Sequence, residues 1–362
     1  MGLSCGLVGL PASGKTVIFN AITAAGASSY NGSAVNRAVV TVPDLRVEKL
    51  VDMYHPQKIG MATLEVVDIP GLKASPQRNG HAFELIGQIK NVEAVLHVVN
   101  CFQNGASSGN QKAGDPAGDI EAVELELMVA DSRTLENKIV RLAKKVRAGD
   151  KDAIRETTHC TKVHATIQQG IPARKQNLNA QELASIRECN LVTLKPVLYI
   201  ANVKSMADAV SSQVAAVKGI ADSEGAEMLT ICGKDEADIS SLEPDEQLVF
   251  LQDLGLEQSS MERLLGSAYR MLGLVTFFTV GEDEVRAWTC RKGDKAPVAA
   301  GKIHTDMEKG FIRMEVTPYQ DLIELGSEAA VAKAGRKRIE SRDYEVQDGD
   351  IVTVLFNNNG KA

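Results

Sequence analysis

Two textures of apolar patterning alternate along this chain. Short, nearly continuous apolar runs stand at residues 3–10, 94–100 (AVLHVVN), 196–202 (PVLYIAN) and 227–232 (EMLTIC), with more mixed runs at 38–42 and 62–69 (ATLEVVDI). Runs of that length predict strands, and the densest predict the interior of a parallel sheet covered on both faces. Between them lie segments of helical period: Val17, Ile18, Asn20, Ala21 and Ile22, then residues 46–54, then amphipathic stretches over 245–272. The longest helical segment runs from Asp119 to about Gln169. In it Leu135, Ile139, Leu142 and Val146 recur at i, i+4, i+7 and i+11, a narrow seam of coiled-coil type, and Gly149 ends the first arm. Asn179-x-x-Glu182 is a capping box opening a further helix. Residues 26–36 and 103–118, dominated by Gly, Ser and Asn, read as loops, as does Gly233-Lys234 after the last run. From about Thr276 the texture changes to short strands (285–290, 311–316, 351–356), with turns at Gly293, Gly310 and Gly349-Asp350 and helices at 319–325 and 328–334. The pattern predicts an α/β domain interrupted by a helical hairpin and followed by a small α+β module.

The end of the first apolar run carries the most specific chemistry. Gly9-Leu10-Pro11-Ala12-Ser13-Gly14-Lys15-Thr16 has the complete spacing of a Walker A loop, placed between a strand and a helix. Gly9 and Gly14 let the backbone turn its N–H groups inward onto phosphate oxygens. The helix opening near Lys15 offers unpaired N–H groups to the same anion. Lys15 reaches the β- and γ-phosphates, and the Thr16 hydroxyl completes a Mg²⁺ shell. Asp68-Ile69-Pro70-Gly71 ends a second strand where a Walker B aspartate and second switch fall: Asp68 holds Mg²⁺ through a water, and the Gly71 N–H senses the γ-phosphate. Leu72 follows, where a Ras-like enzyme keeps a glutamine to orient water, so hydrolysis needs another water-positioning group. Asn202-Val203-Lys204-Ser205 stands where a GTPase carries N-K-x-D. Ser205 cannot make the aspartate's paired contact with guanine, which weakens the case for GTP. Phe102, just past a strand's C-terminal end, has two readings, simple packing or stacking on a base. His97 within that strand reads as core.

Composition narrows the classes. The 362 residues are enough for two or three domains, and a net charge of −7 argues against a wholly basic nucleic-acid coat, so DNA is not an expected partner. No apolar run approaches the ~20 residues a bilayer span needs, so no membrane partner is expected. The run leading into the phosphate loop reads as a core strand rather than a signal peptide. The six cysteines are scattered without a C-x-x-C pair, which suggests buried reduced thiols, a cytoplasmic setting and no zinc site. Lys138, Arg141, Lys144, Lys145, Arg147 and Lys151 make the hairpin the most basic surface, read either as a solvated face or as an RNA-phosphate contact. The spacing of His304, Asp306 and Glu308 fits a turn as well as a metal site, and the turn is the favoured reading.

Taken together these stretches resemble the YchF/Obg-like ATPase family of the TRAFAC P-loop proteins over essentially the whole chain. The resemblance is carried by residues 9–16, Val42-Pro43-Asp44, residues 68–72 and residues 195–203. It is strongest over 276–356, notably Val285-Arg286-Ala287-Trp288-Thr289, residues 301–306, 308–313 and 344–350. It implies a Ras-like P-loop G domain (1–118 and 191–275) with a parallel-dominated sheet, a helical insertion (119–190) and a C-terminal TGS-type β-grasp domain (276–358). It also implies ATP in preference to GTP, slow hydrolysis with a hydrophobic residue at Leu72, and association with ribosomes. By position, Ala12, Ser13, Gly14, Lys15, Thr16 and Val17 would wrap the phosphates, Asn202 and Val203 would contact adenine, and Phe102 would lie against its face. The family's switch threonine, which completes the Mg²⁺ shell, falls at Gly32 or Ser33, of which Ser33 has the hydroxyl. Three departures, at Ser33, in the shortened 73–81 segment and at Ser205, fall on moving or base-reading parts and leave the phosphate cradle intact. The expectation is an ATP-binding, slowly hydrolysing switch. A nucleotide-stabilised ribosome- or RNA-binding module without hydrolysis, and a GTPase, are the alternatives.

Overall fold

The computed structural model describes residues 3–24, 28–30, 35–72, 80–102, 114–253 and 258–357. In chain order the elements are β1 (Ser4–Val8), α1 (Lys15–Ala24), β2 (Ser28–Tyr30), β3 (Asn36–Thr41), α2 (Leu45–Tyr54), β4 (Lys58–Gly60), β5 (Thr63–Asp68), α3 (Gly80–Asn91) and β6 (Ala94–Asn100). Then come α4 (Pro116–Arg147), α5 (Lys151–Gln168), α6 (Ala180–Ile186), β7 (Val197–Asn202), α7 (Ser212–Glu224), β8 (Met228–Ile231), α8 (Gly233–Ser240), α9 (Pro244–Asp253) and α10 (Ser260–Met271). The last group is β9 (Leu274–Thr279), β10 (Glu284–Arg291), α11 (Ala296–Ile303), α12 (Thr305–Lys309), β11 (Phe311–Pro318), α13 (Tyr319–Leu325), α14 (Glu328–Lys333), β12 (Arg338–Glu340) and β13 (Asp350–Phe356). The described residues form two compact units, Met1–Val40 with Glu65–Leu264, and Thr41–Leu64 with Leu265–Ala362.

The first unit is built on a seven-stranded sheet of order β2-β3-β5-β1-β6-β7-β8. β1 pairs in parallel with β5 and β6, and β6-β7-β8 continue in parallel, so the strand ends bearing Gly9, Asp68, Phe102 and Asn202 come to one edge. β1, β6 and β7 are buried almost throughout, as their continuous apolar character requires. The fold is of the α/β class. Two local expectations are corrected. The polar segment 26–36, read as a loop, contains β2, which pairs antiparallel with β3 through backbone bonds that side-chain patterning does not report. Gly233-Lys234, read as a loop, opens α8 instead.

Helix α4 serves two cores. Its N-terminal half packs Ile120, Val123, Leu127 and Ala130 into the apolar core around Val8, Val99 and Tyr199. Further along, Met128 and Leu135 join a smaller cluster with Cys160, Val163, Ile167, Ile186 and Cys189, against which Ile139 packs. Asp131, 0 % exposed, fixes the crossing by accepting bonds from Val192 N (2.8 Å), Thr193 N (2.7 Å) and the Thr193 hydroxyl (2.7 Å). Asp150 caps α5, and the Asn179–Glu182 capping box opens α6 with both reciprocal bonds formed. One expectation about the hairpin's charge fails: Lys138, read as part of a basic surface, is buried. Its ammonium bonds to Ser185 O (2.6 Å), Glu156 (3.1 Å) and Glu188 (2.6 Å). Arg141, Lys144, Lys145, Arg147 and Lys151 are exposed.

Behind the sheet, Arg174 bridges Glu124 of α4 (2.7 Å) and Glu224 of α7 (3.0 Å), and the Tyr199 hydroxyl donates to Glu224 (3.1 Å). His97 lies against Tyr199, with ring centroids 5.5 Å apart. Burial, with the Arg174 and Lys15 cations adding to it, pulls the His97 imidazole from 6.5 down to about 3. The neutral ring is the folded form, so the unfolded chain binds the extra proton between those values and stability falls as pH drops below 6.5. Replacing His97 with Leu should flatten the acid side of the stability profile by up to ~1.4 kcal/mol per pH unit. Urea denaturation between pH 4 and 7 reads this out, and an unchanged slope would return the acid sensitivity to the carboxylates.

The second unit has a six-stranded sheet of order β12-β11-β13-β9-β10-β4. β9 and β10 are antiparallel, β11 and β13 are antiparallel, and β4 joins β10 in parallel. One face packs Phe277, Cys290, Ala299, Met314 and Val316 together. Arg46 of α2 reaches Asp44 (2.8 Å) and Asp348 (2.7 Å), and Tyr54 donates to Glu328 (3.0 Å). His304 caps α12, its Nδ1 accepting from the Asp306 N–H at 3.2 Å.

Candidate functional site

β1 ends at Val8, and the chain then turns through positive-φ residues at Gly9, Ala12 and Gly14 before α1 begins at Lys15. Gly14 has φ +95°, and a Cβ there would collide with the Asn202 amide, so this position requires glycine. Ala12, at φ 63°, holds the left-handed region without that freedom. The Lys15 ammonium closes the loop on itself, donating to Leu10 O (2.7 Å), Gly9 O (3.1 Å) and Ser13 Oγ (3.4 Å). Burial lowers its pKa to about 8, against the opposing pull of Asp68.

Asp68, at the end of β5, is 6 % exposed. Its Oδ2 accepts from the Thr16 hydroxyl at 3.0 Å, while its Oδ1 is buried without a hydrogen-bond partner. A buried carboxylate oxygen left open beside a hydroxyl is a donor set of the hard-oxygen kind that suits Mg²⁺. Gly71 lies against the loop so closely that a Cβ would stand 2.7 Å from Pro11 N. Leu72 is 3 % exposed, packs into the core and donates its N–H to Gly9 O at 3.2 Å.

On the far side, Asn202 clasps the site together. Its Nδ2 donates to Ser13 O (2.9 Å), and its Oδ1 accepts from the Gly233 N–H (3.1 Å). Val203 follows with its side chain 1 % exposed in the core. Asn100 Oδ1 accepts from the Phe102 N–H (2.9 Å), which fixes the backbone before that ring.

These residues surround a cavity of about 540 Å³, large enough for a nucleotide. Of the residues read from the sequence, Ala12, Gly14, Lys15, Thr16, Val17, Asp68, Gly71, Phe102, Asn202 and Val203 all line it. Ser13 is 2 % exposed beneath the loop, with its carbonyl held by Asn202. Ser33, and residues 73–79 of the shortened 73–81 segment, lie outside the described residues. Pro11, Pro70, Lys204 and Lys234 also line the cavity, although the sequence motifs that contain them give them no role. Lys204 and Lys234 follow β7 and β8 at the C-terminal edge of the sheet, the one signal that could have flagged them.

Comparison with known proteins places this geometry. A family described as 50S ribosome-binding GTPases matches residues 4–145, and a YchF C-terminal family, described as of unknown function, matches 274–357. The ribosome-binding ATPase YchF of Bacillus subtilis (strain 168) is 40% identical over 99% of this chain and 100% of its own length. The chain belongs to the YchF family. The ribosome-binding ATPase YchF of Escherichia coli O157:H7 is 41% identical over 99% of this chain and 100% of its own length. Among solved structures, the YchF GTPase of Schizosaccharomyces pombe superposes with a TM-score of 0.85 at 30% identity, covering 98% of each chain. The family thus includes proteins named for ATP and one named for GTP, which makes the base-facing side of the cavity the informative part of this member.

Proposed function

We propose that this protein is a Mg²⁺-dependent P-loop ATPase of slow turnover that associates with the ribosome in the cytoplasm. The observation that carries this reading is the cradle itself: Lys15, Thr16 and Asp68 converge on one cavity, whose other side holds Phe102, Asn202, Val203 and two lysines but, among the described residues, no carboxylate. Without a carboxylate in the place of Ser205, the paired acceptor for guanine N1–H and N2–H₂ is missing, which favours ATP. The bacterial relatives named ribosome-binding ATPases support both the nucleotide and the partner.

In this reading Thr16, and Asp68 through a water, would hold Mg²⁺, with Ser33 supplying a further hydroxyl, and the ion would supply charge neutralisation at the phosphates. The backbone N–H groups of residues 12–17 wrap the β-phosphate, and Lys15 exchanges its loop carbonyls for phosphate oxygens. The Gly71 N–H meets the γ-phosphate from the other side. Phe102 lies against the base, while Asn202 acts chiefly by holding Ser13 and Gly233 in place. Leu72 offers no group to orient water, so turnover rests on positioning and charge stabilisation and is slow. Residues 1–118 with 191–275 form the nucleotide domain in this scheme, 119–190 the helical insertion and 276–358 a TGS-like β-grasp module.

The test is binding and hydrolysis of ATP and GTP by purified protein, with and without Mg²⁺. ATP preference with Mg²⁺-dependent turnover supports the reading, and preference for GTP in direct competition overturns its base assignment. ATP retained intact after long incubation with Mg²⁺ would instead identify a nucleotide-stabilised binding module.

The exposed arm tip carries a second prediction. If Lys144 and Lys145 meet ribosomal RNA phosphates, reversing both to Glu should weaken ribosome co-sedimentation several-fold and flatten its salt dependence by about two charges. Unchanged sedimentation would leave that face to solvent.

A further inference from the structure

We propose that Lys204 and Lys234 select adenine actively, by presenting ammonium donors to the base edge at which a guanine reader presents a carboxylate. The inference rests on the nucleotide reading of this cavity and names the groups that choose its base. Both lysines line the cavity, whereas Ser205, in the place of the guanine-reading aspartate, is not among its lining residues. Ser205 is engaged with its own chain instead. Its Oγ accepts from the Ala207 N–H (3.3 Å) and its carbonyl from the Asp208 N–H (2.9 Å), opening a 3₁₀ turn over Met206–Val210. The side chain beside it that does reach the cavity is Lys204.

Local structure brings the two lysines to one side of the site. The sheet order sets β5 and β1, which lead to Asp68 and the phosphate loop, on one side of β6, and β7 and β8 on the other. β7 and β8 run in parallel with Asn202 beside Ile231. The chain leaving each strand is tied to the other: the Val203 N–H donates to Ile231 O (2.9 Å), the Cys232 thiol to Lys204 O (3.2 Å) and the Gly233 N–H to Asn202 Oδ1 (3.1 Å). The backbones that carry Lys204 and Lys234 are thereby fixed, while both side chains are exposed. Neither ammonium has an ion-pair or hydrogen-bond partner among the described residues. Other lysines of the same unit do, Lys162 with Glu182 (2.6 Å) and Lys175 with Glu224 (2.8 Å). The single carboxylate among the described residues lining the cavity is Asp68, which the Thr16 hydroxyl engages beside the phosphate loop.

An ammonium has donors and no acceptor. Adenine carries a lone pair at N1, whereas guanine carries N–H groups at N1 and N2. At this edge Lys204 donates to adenine N1. Against guanine it sets a cation on two N–H groups with nothing to accept from them, and Lys234 on the neighbouring loop adds to the same field. Discrimination thus gains a repulsive part, which the loss of the aspartate alone does not supply.

The experiment uses the full-length protein with Mg²⁺ and measures competition of ATP, GTP and 1-deaza-ATP, in which C–H replaces N1, against a ribose-labelled fluorescent ATP. Wild-type protein should bind ATP about 5-fold more tightly than 1-deaza-ATP. Lys204→Met should lower the ATP-to-GTP preference by about 5-fold and bind ATP and 1-deaza-ATP alike. Adding Lys234→Met should lower the preference further. Lys204→Glu, which puts an acceptor in the donor's place, should shift the preference toward GTP. Both side chains are exposed, so these variants keep the fold. Equal weakening of ATP and GTP in Lys204→Met would mean that the lysines attract only the phosphates and would overturn the proposal, as would wild-type protein that binds 1-deaza-ATP as tightly as ATP. An ATP preference that survives both Lys→Met changes overturns this inference and leaves the ATP reading standing, whereas wild-type preference for GTP overturns both.

Discussion

Replacing Lys15 with alanine should abolish measurable ATP turnover and weaken ATP binding by about 100-fold or more. A charge-assisted bond to phosphate in a site shielded from water contributes roughly 1.5–3 kcal/mol to binding. Its contribution rises in the transition state, where charge accumulates on the transferring group. The lysine has a second task in this chain, because its ammonium also ties together Gly9 O, Leu10 O and Ser13 Oγ. Alanine therefore leaves three loop acceptors to water and loosens the cradle before any nucleotide arrives. Lys15→Arg separates the two effects: it keeps a cation but cannot fold back in the same compact way. Isothermal titration with ATP and a single-turnover assay read both quantities. Turnover that survives in the alanine variant would move the chemistry to another site.

The second large effect is expected at Asn202. Its side chain is 3 % exposed and makes two buried bonds to backbone, one to the phosphate loop and one to the first turn of α8. Alanine leaves the Ser13 carbonyl and the Gly233 N–H unsatisfied, at a cost of about 2–4 kcal/mol in unfolding free energy. Asn202→Asp is the sharper probe. It preserves shape and the acceptor for Gly233, but sets a second acceptor against the Ser13 carbonyl, and should be no more stable than the alanine variant. Urea denaturation without nucleotide is the measurement. Near-native stability in both variants would mean the clasp is dispensable and that Asn202 acts on the nucleotide alone.

Much of the site was legible because its chemistry is local in sequence. Gly9, Gly14, Lys15 and Thr16 lie within one turn, and Asp68, Phe102 and Asn202 each end an apolar run whose burial the pattern itself announces. What the pattern could not carry was decided by partners far along the chain. Lys138 looks like any surface lysine until Glu156, Ser185 and Glu188 fold around it. β2 and β4 are three residues each, and exist only because β3 and β10 offer edges to pair with. Asn202 reads as a base contact by position, whereas its observed bonds run to protein backbone. Lys204 stands in the base-reading motif, which assigns it no role, and Lys234 carries no spacing signal at all; only the sheet's topology brings it to the cavity.

The length of α4 has a mechanical consequence. Its 32 residues make an unbroken rod of about 48 Å. One end begins beside the nucleotide cavity, where the Asp119 carboxylate in its first turn is close enough to bear on the Cys101 thiol next to Phe102. The other end is the exposed basic tip at Lys144, Lys145 and Arg147. Asp131 pins the helix partway along, and the free reach beyond that point is about 24 Å, so a tilt of about 10° there moves the tip by about 4 Å. Its first half is thus part of the core, and its second half carries the exposed basic residues away from it as a stiff arm.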